Sequence, residues 1–269
     1  MKLSFTTLSC PDWSWDEIVS RATRMGYDGI ELGGVEGELF IPRARPFLPE
    51  NIEATIEQLR VGNLDIPLLN PMCRFHDADA YGKYLEEGIA TIDLAARLKS
   101  PYIRVFGNNI PDPDRRQETF DRVANGIREL CRYGAKKNVG VLFETHGDFP
   151  GMDTIGPLID SVGSPGFGIL WDMMVTYGKY GADTAGFLDT AFKYIRHVHV
   201  KDAYRPDGGK FIYCRLGRGE VPIVKNLQLL KQAGYSGYLS MEWEKKWVPT
   251  LEEPEIVLPE YIEYIRKNA

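Results

Sequence analysis

Four residues stand out for the chemistry they could do together: Glu144 in VLFETH, Asp172 in GILWDMM, His199 in RHVHVKD and Glu242 in LSMEWE. Each closes an apolar run rich in β-branched and aromatic residues, so each falls at the C-terminal end of a strand. One imidazole and three carboxylates make a mixed nitrogen and oxygen donor set. Such a set suits a single divalent ion, Mn²⁺ first, with Mg²⁺, Co²⁺ or Zn²⁺ as alternatives, and it lacks the thiolates that select copper or an iron–sulfur cluster. Three carboxylates gathered without a cation would repel one another and force at least one to keep its proton. In the segment Arg196 to Arg205, RHVHVKDAYR, strand alternation puts His197, His199 and Lys201 on one side and Val198 and Val200 on the other.

Eight short β-rich runs could position these groups, beginning at Leu3, Gly29, Leu64, Tyr102, Val139, Phe167, Ile195 and Gly237. Between them lie longer stretches with helical spacing of apolar residues, such as WDEIVSRATRMG, ENIEATIEQLRVG and FDRVANGIRELCRYGAKKN, several ending in Gly or Asn as a helix C-terminus should. Strand then helix, eight times over in roughly 250 residues, predicts an α/β fold of the (β/α)8 TIM-barrel type. An open doubly wound sheet fits the alternation less well. No G-x-G-x-x-G turn follows the first run, and the ionisable residues end several strands instead of one crevice. No linker or composition break divides the chain, so residues 1–269 read as one domain.

The chain resembles the sugar phosphate isomerase/epimerase group of the xylose-isomerase-like barrel superfamily over essentially its whole length. The resemblance rests on GYDGIEL at Gly26, YIRVFG at Tyr102, ETHGDF at Glu144, WD at Trp171, HVHVKD at His197, LGRGEVP at Leu216, GYSGYLSMEWEKKW at Gly234 and the closing EEPEIVLPEYIEYIR, in that order. It implies metal ligands at Glu144, Asp172, His199 and Glu242, the same four residues that end the fifth to eighth runs. It also implies that Glu144 and Glu242 flank a carbon next to a metal-held carbonyl, one removing a proton and the other returning it from the opposite face. Two positions depart from the family. Val175 stands where a histidine commonly follows the aspartate, and Pro150 stands where some epimerases keep an acid. Arg205 matches an arginine that contacts substrate oxygens in the epimerases.

Around this centre, His146 should sit two residues above Glu144 and contact substrate, while Lys201 should reach a substrate oxygen or phosphate or else pair with a carboxylate. Arg104 is expected to point inward beside the substrate, and His197 to be structural. Trp13 and Trp15 after the first strand suggest a lid or wall against a sugar face, with Trp15 assigned to substrate contact, although Trp15 could equally anchor the first helix. The glycines of LGRGEVP leave room for a phosphate cradle, although a bare G-x-G is a weak signal.

The leading functional expectation is a metal-dependent isomerase or epimerase of a keto sugar or sugar derivative. A lyase or dehydratase on a keto-inositol, a dehydroshikimate-like compound or a 3-keto-glycoside begins with the same proton abstraction and is the alternative. A metal endonuclease would need more histidines than the four present, and a sugar-binding subunit without turnover would not need all four ligands intact. The 43% hydrophobic content suits a large core, and the net charge of −6 without a basic block argues against a nucleic-acid surface. No run is long enough to span a membrane, and the polar start is unlike a signal peptide. A cytoplasmic protein is therefore expected, with a small-molecule sugar as its partner, reduced cysteines and room for a homo-oligomer.

Overall fold

The computed structural model describes the backbone of residues 1–269 and every side chain except that of Asp207. Seven parallel strands form one curled sheet: β1 (Lys2–Thr6), β2 (Gly29–Glu31), β3 (Tyr102–Val105), β4 (Gly140–Glu144), β5 (Phe167–Asp172), β6 (Ile195–Val200) and β9 (Tyr238–Met241). Their spatial order is β2-β1-β9-β6-β5-β4-β3. The first strand thus pairs with the last, as a barrel requires.

The eighth stave, expected from Leu64, lies between β2 and β3 but is not a regular strand. Pro67 and Pro71 have no N–H to give, so the ladder is reduced to isolated bridges of Asp65 with Gly29 and of Leu69 with Leu32 and Ile103. The surviving bonds still close the barrel. Ile30 N–H donates to Asp65 at 2.9 Å, Leu32 N–H to Leu68 at 3.0 Å, and Arg104 N–H to Leu69 at 2.9 Å.

Helices α1 (Trp15–Met25), α2 (Ile52–Gly62), α3 (Tyr81–Leu98), α4 (Arg116–Ala135), α5 (Met152–Val162), α6 (Met173–Tyr180), α7 (Ala185–Ala191), α8 (Ile223–Gln232) and α9 (Pro254–Asn268) cover the sheet. Local chemistry sets their ends. Ser14 and Glu17 form a reciprocal capping box at the start of α1, worth about 1 kcal/mol, and α1 stops where Gly26 turns left-handed at φ 79°. Asn63 does the same after α2 at φ 51°.

Strand alternation divides the interior into two environments. Val141, Phe143, Ile169, Trp171, Val198, Val200, Leu239 and Met241 join the large core between sheet and helices. Their neighbours in sequence face the barrel axis, where Leu68, Leu142 and Leu170 form a small apolar layer. Two residues further along each stave stand Asn70, Glu144 and Asp172, so the polar layer rests on that apolar floor.

A hairpin absent from the sequence reading, β7 (Asp202–Tyr204) with β8 (Ile212–Cys214), follows β6 at the C-terminal end of the barrel. Among the described residues Cys10, Cys73, Cys131 and Cys214 are free, as expected from their scatter.

Candidate metal and catalytic site

Strand register assembles the centre. Asp172 on β5 and His199 on β6 are direct Cα partners, and His199 in turn faces Ser240 on β9, two residues before Glu242. One donor atom each from Glu144, Asp172, His199 and Glu242 lies within 4.8 Å of the others, and all four residues are buried. His199 Nδ1 stands 3.1 Å from Glu242 Oε2 and 3.5 Å from Glu144 Oε1.

The donor atoms are left open in the way a cation needs. Asp172 Oδ1 accepts the backbone N–H groups of Met174 at 2.8 Å and Val175 at 3.1 Å, capping α6 and leaving Oδ2 as the free oxygen. Asp172 Oδ2 and His199 Nδ1 are both buried without a hydrogen bond. Lys201 Nζ forms an ion pair with Oδ2 at 2.8 Å. A buried polar atom without a hydrogen bond costs about 1–3 kcal/mol, and the open Nδ1 of His199 among three carboxylates fits a divalent ion. The four sequence-predicted ligands are therefore brought together.

Two cations back the glutamates. Arg104 Nη1 donates to Glu144 Oε2 at 2.6 Å, as its expected inward direction requires. Burial alone would raise the Glu144 carboxyl, but Arg104 and His199 outweigh it and hold the group well below the usual carboxylate range. Lys201 donates to Glu242 and also lies 3.3 Å from Glu244, so it takes the ion-pair alternative foreseen for it. Burial likewise opposes ionisation of Glu242, and His199 with Lys201 overcomes it. Glu244, further out, is pushed up to about 7 by burial, Lys201 opposing and Glu242 adding to the shift.

The outer predictions divide. His146 is half-buried with its ring 5.0 Å from that of Phe106, and its Nδ1 is buried without a partner. Arg205 lays its guanidinium 4.0 Å over Phe211 at the hairpin and forms no ion pair with the four-residue group among the described residues.

The expectation for Trp15 is corrected. Its side chain is 1% exposed, packs edge-on against Phe47 and donates from Nε1 to Gln58 on α2, so it anchors α1 and cannot face a sugar. Trp13 is held in the same region by Glu255 and Arg21. The glycine loop is corrected too. The N–H groups of Gly217, Gly219 and Val221 all donate to the Asp202 carboxylate, which fills the space a phosphate would need.

Glu31, at the end of β2, is the residue the sequence reading left without a role. It is fully buried, and its two oxygens lie 2.7 Å from Nε2 of His197 and 2.7 Å from Nε2 of His199. Asn70 donates to it as well. The carboxylate of Glu31 in GIEL, at the close of an apolar strand inside GYDGIEL, was the available signal.

The model of the xylose isomerase-like TIM barrel family matches residues 19–268. A 3-dehydroshikimate dehydratase of Bacillus anthracis is 26% identical over 212 residues, 77% of this chain and 74% of that protein. A fructoselysine 3-epimerase of Shigella flexneri is 20% identical over 254 residues, 91% of this chain and 90% of that protein. The crystal structure of the probable 3-DHS dehydratase AsbF, involved in petrobactin synthesis in Bacillus anthracis, superposes with a TM-score of 0.81 at 21% identity, covering 99% of both chains.

Proposed function

The chain belongs to the xylose isomerase-like TIM barrel family, and on that premise we propose that it is a divalent-metal-dependent isomerase or epimerase of a keto sugar or sugar derivative. The observation that carries this reading is the pair of buried glutamates, Glu144 and Glu242, which approach the same edge of His199 and are each held ionised by a cation of their own. A bound divalent ion, Mn²⁺ by preference, held by Glu144, Asp172, His199 and Glu242, would polarise a substrate carbonyl as a Lewis acid.

The protein's own groups then do the proton work. One glutamate, ionised, removes the proton from the carbon beside the carbonyl and becomes the acid, and the other, after taking up a proton from solvent, delivers it to the opposite face. Arg104 and Lys201 orient the two carboxylates and favour their charged forms, so the one facing the substrate proton is ready to accept it. The fructoselysine 3-epimerase relative supports this reading.

A dehydratase is the second reading, favoured by the 26% identical 3-dehydroshikimate dehydratase. Both reactions start with the same proton abstraction and part at the leaving group. Incubating the metal-loaded protein with keto sugars, keto-inositols and dehydroshikimate in D₂O separates them by NMR. Solvent deuterium entering an epimerised product supports the first reading, and a dehydrated product supports the second. No exchange with any of these carbonyl compounds defeats both.

A further inference from the structure

Glu31 lies outside the four-residue group, yet it touches the group's only imidazole from behind. A histidine that binds a cation must be neutral, with one proton and one lone pair, and which nitrogen then holds which is decided by the partner of the far nitrogen. Here the far nitrogen, Nε2, is 2.7 Å from Glu31 Oε1, and a carboxylate can only accept. The Nε2 position must therefore bear the proton. The near nitrogen, Nδ1, stands 3.1 Å from Glu242 without a hydrogen bond to it, on the side where the other three members of the group lie.

Glu31 is itself held from two further sides. His197 occupies the other oxygen at 2.7 Å, and Asn70, from the proline-interrupted stave, donates to the oxygen that faces His199. His197 is fixed in turn by stacking on Tyr238, with ring centres 6.3 Å apart. Side chains from two staves, β6 and the proline-interrupted one, thus converge on one carboxylate, which among the described residues forms no ion pair or hydrogen bond with the other three members of the group. A buried carboxylate with so many donors is more than packing needs, because two apolar residues would fill the same space without the cost of burying charge.

We propose that Glu31 is a positioning residue for the metal centre: it takes the Nε2 proton of His199, fixes the ring's tautomer and rotation, and so presents the Nδ1 lone pair to the divalent ion. His197 and Asn70 hold the carboxylate in place for that task. The inference rests on the metal reading of the site and assigns Glu31 no contact with substrate.

The test compares Mn²⁺ affinity, by competition with a fluorescent chelator, in the wild type, Glu31→Ala and Glu31→Gln, with thermal unfolding of the same metal-free proteins alongside. Affinity should fall about 10- to 100-fold in Glu31→Ala and recover in part in Glu31→Gln, whose amide oxygen can still accept from Nε2. A role in stability alone would lower the unfolding temperature and leave the affinity of the folded protein unchanged, which overturns the proposal. Should Glu31→Ala not fold, Asn70→Ala carries the test: a several-fold loss of affinity supports the relay, and unchanged affinity overturns it. Failure of the wild type to bind any divalent ion defeats the functional reading instead. The His199 Nε2 proton, followed by ¹⁵N NMR in the metal-free chain, then still decides for Glu31. Slow solvent exchange in the wild type and faster exchange in Glu31→Ala or Asn70→Ala supports the assignment, and an unprotected proton in the wild type overturns it.

Discussion

Arg104 and Glu144 sit on adjacent strands and meet through a 2.6 Å hydrogen bond in a region closed to water. Removing the arginine leaves the carboxylate buried without its counter-charge. Arg104→Ala should destabilise the metal-free chain by about 3–5 kcal/mol, the usual cost of breaking a buried pair from one side. Arg104→Lys should recover only part of this, because a point charge cannot reproduce the planar fork. Calorimetric unfolding of both variants checks it, and an unchanged melting temperature in Arg104→Ala would remove the pair from the account of stability.

His199→Ala and Asp172→Asn each delete a donor atom that the structure leaves open. Either should lower divalent-ion affinity at least about tenfold and leave the purified protein short of one ion per chain. Elemental analysis after dialysis reads this directly. Full metal content in both variants would break the four-ligand assignment.

Metal retention should weaken in acid. In the metal-free chain the Asp172 carboxyl lies above its ordinary value, chiefly from burial, with Lys201 opposing and Glu242 and Glu144 adding to the rise. An acid with a raised pKa keeps its proton to higher pH, so an incoming cation must displace that proton across a wider acidic range. Affinity should therefore be greatest well above the carboxylate range and fall as pH drops toward about 5. Chelator competition across that interval measures it, and a flat profile would contradict the burial argument.

Glu144→Gln and Glu242→Gln each keep an oxygen at the site but lose the ability to take up a proton. Turnover should drop by about 10² to 10⁴ in each, far more than metal affinity does. In an epimerase the two variants should show mirrored defects, each still exchanging the proton of one epimer. In a dehydratase using a single base, only one variant should lose exchange. Near wild-type turnover in either would take that glutamate out of the mechanism and point to His146 or Lys201.

Asp202 collects backbone N–H groups from Ala203, Gly217, Gly219 and Val221. Asp202→Ala would leave those donors unpaired, and the loop from residue 217 to 221 should lose hydrogen-exchange protection, at about 1–3 kcal/mol per buried donor left without a partner. Gly219→Ala should do similar damage from the other side, since an added Cβ would lie 2.2 Å from Asp202 Oδ1. Unaltered exchange in both variants would show that the carboxylate does not hold the loop.

The four-residue group is legible in the sequence because each member ends an apolar run, and barrel geometry sends the ends of neighbouring strands to one place. Glu31 is hidden because its meaning depends on partners 166 and 168 residues away across the barrel axis. Trp15 misleads because a tryptophan after the first strand reads alike as a pocket wall or a helix anchor until Gln58 and Phe47 are seen beside it. The stave from Leu64 has the composition of a strand, but Pro67 and Pro71 take away the donors that would make it regular. The β7–β8 hairpin escaped for a local reason: its Pro-Asp-Gly-Gly turn lies inside a stretch whose histidines and lysine drew the reading toward β6.

The pairing of β1 with β9 has a consequence for how the protein is made. Lys2 lies opposite Tyr238 and Phe5 opposite Met241, so β1 finds one of its two neighbours only once all the strands and helices between them have also been translated. At about 5–20 residues per second that interval is on the order of ten seconds or more. Until then β1 has β2 on one side and an open edge on the other, a template for pairing with another chain. The nascent protein is thus most exposed to misassociation just before the segment carrying Glu242 arrives, and that same segment closes the sheet and completes the site.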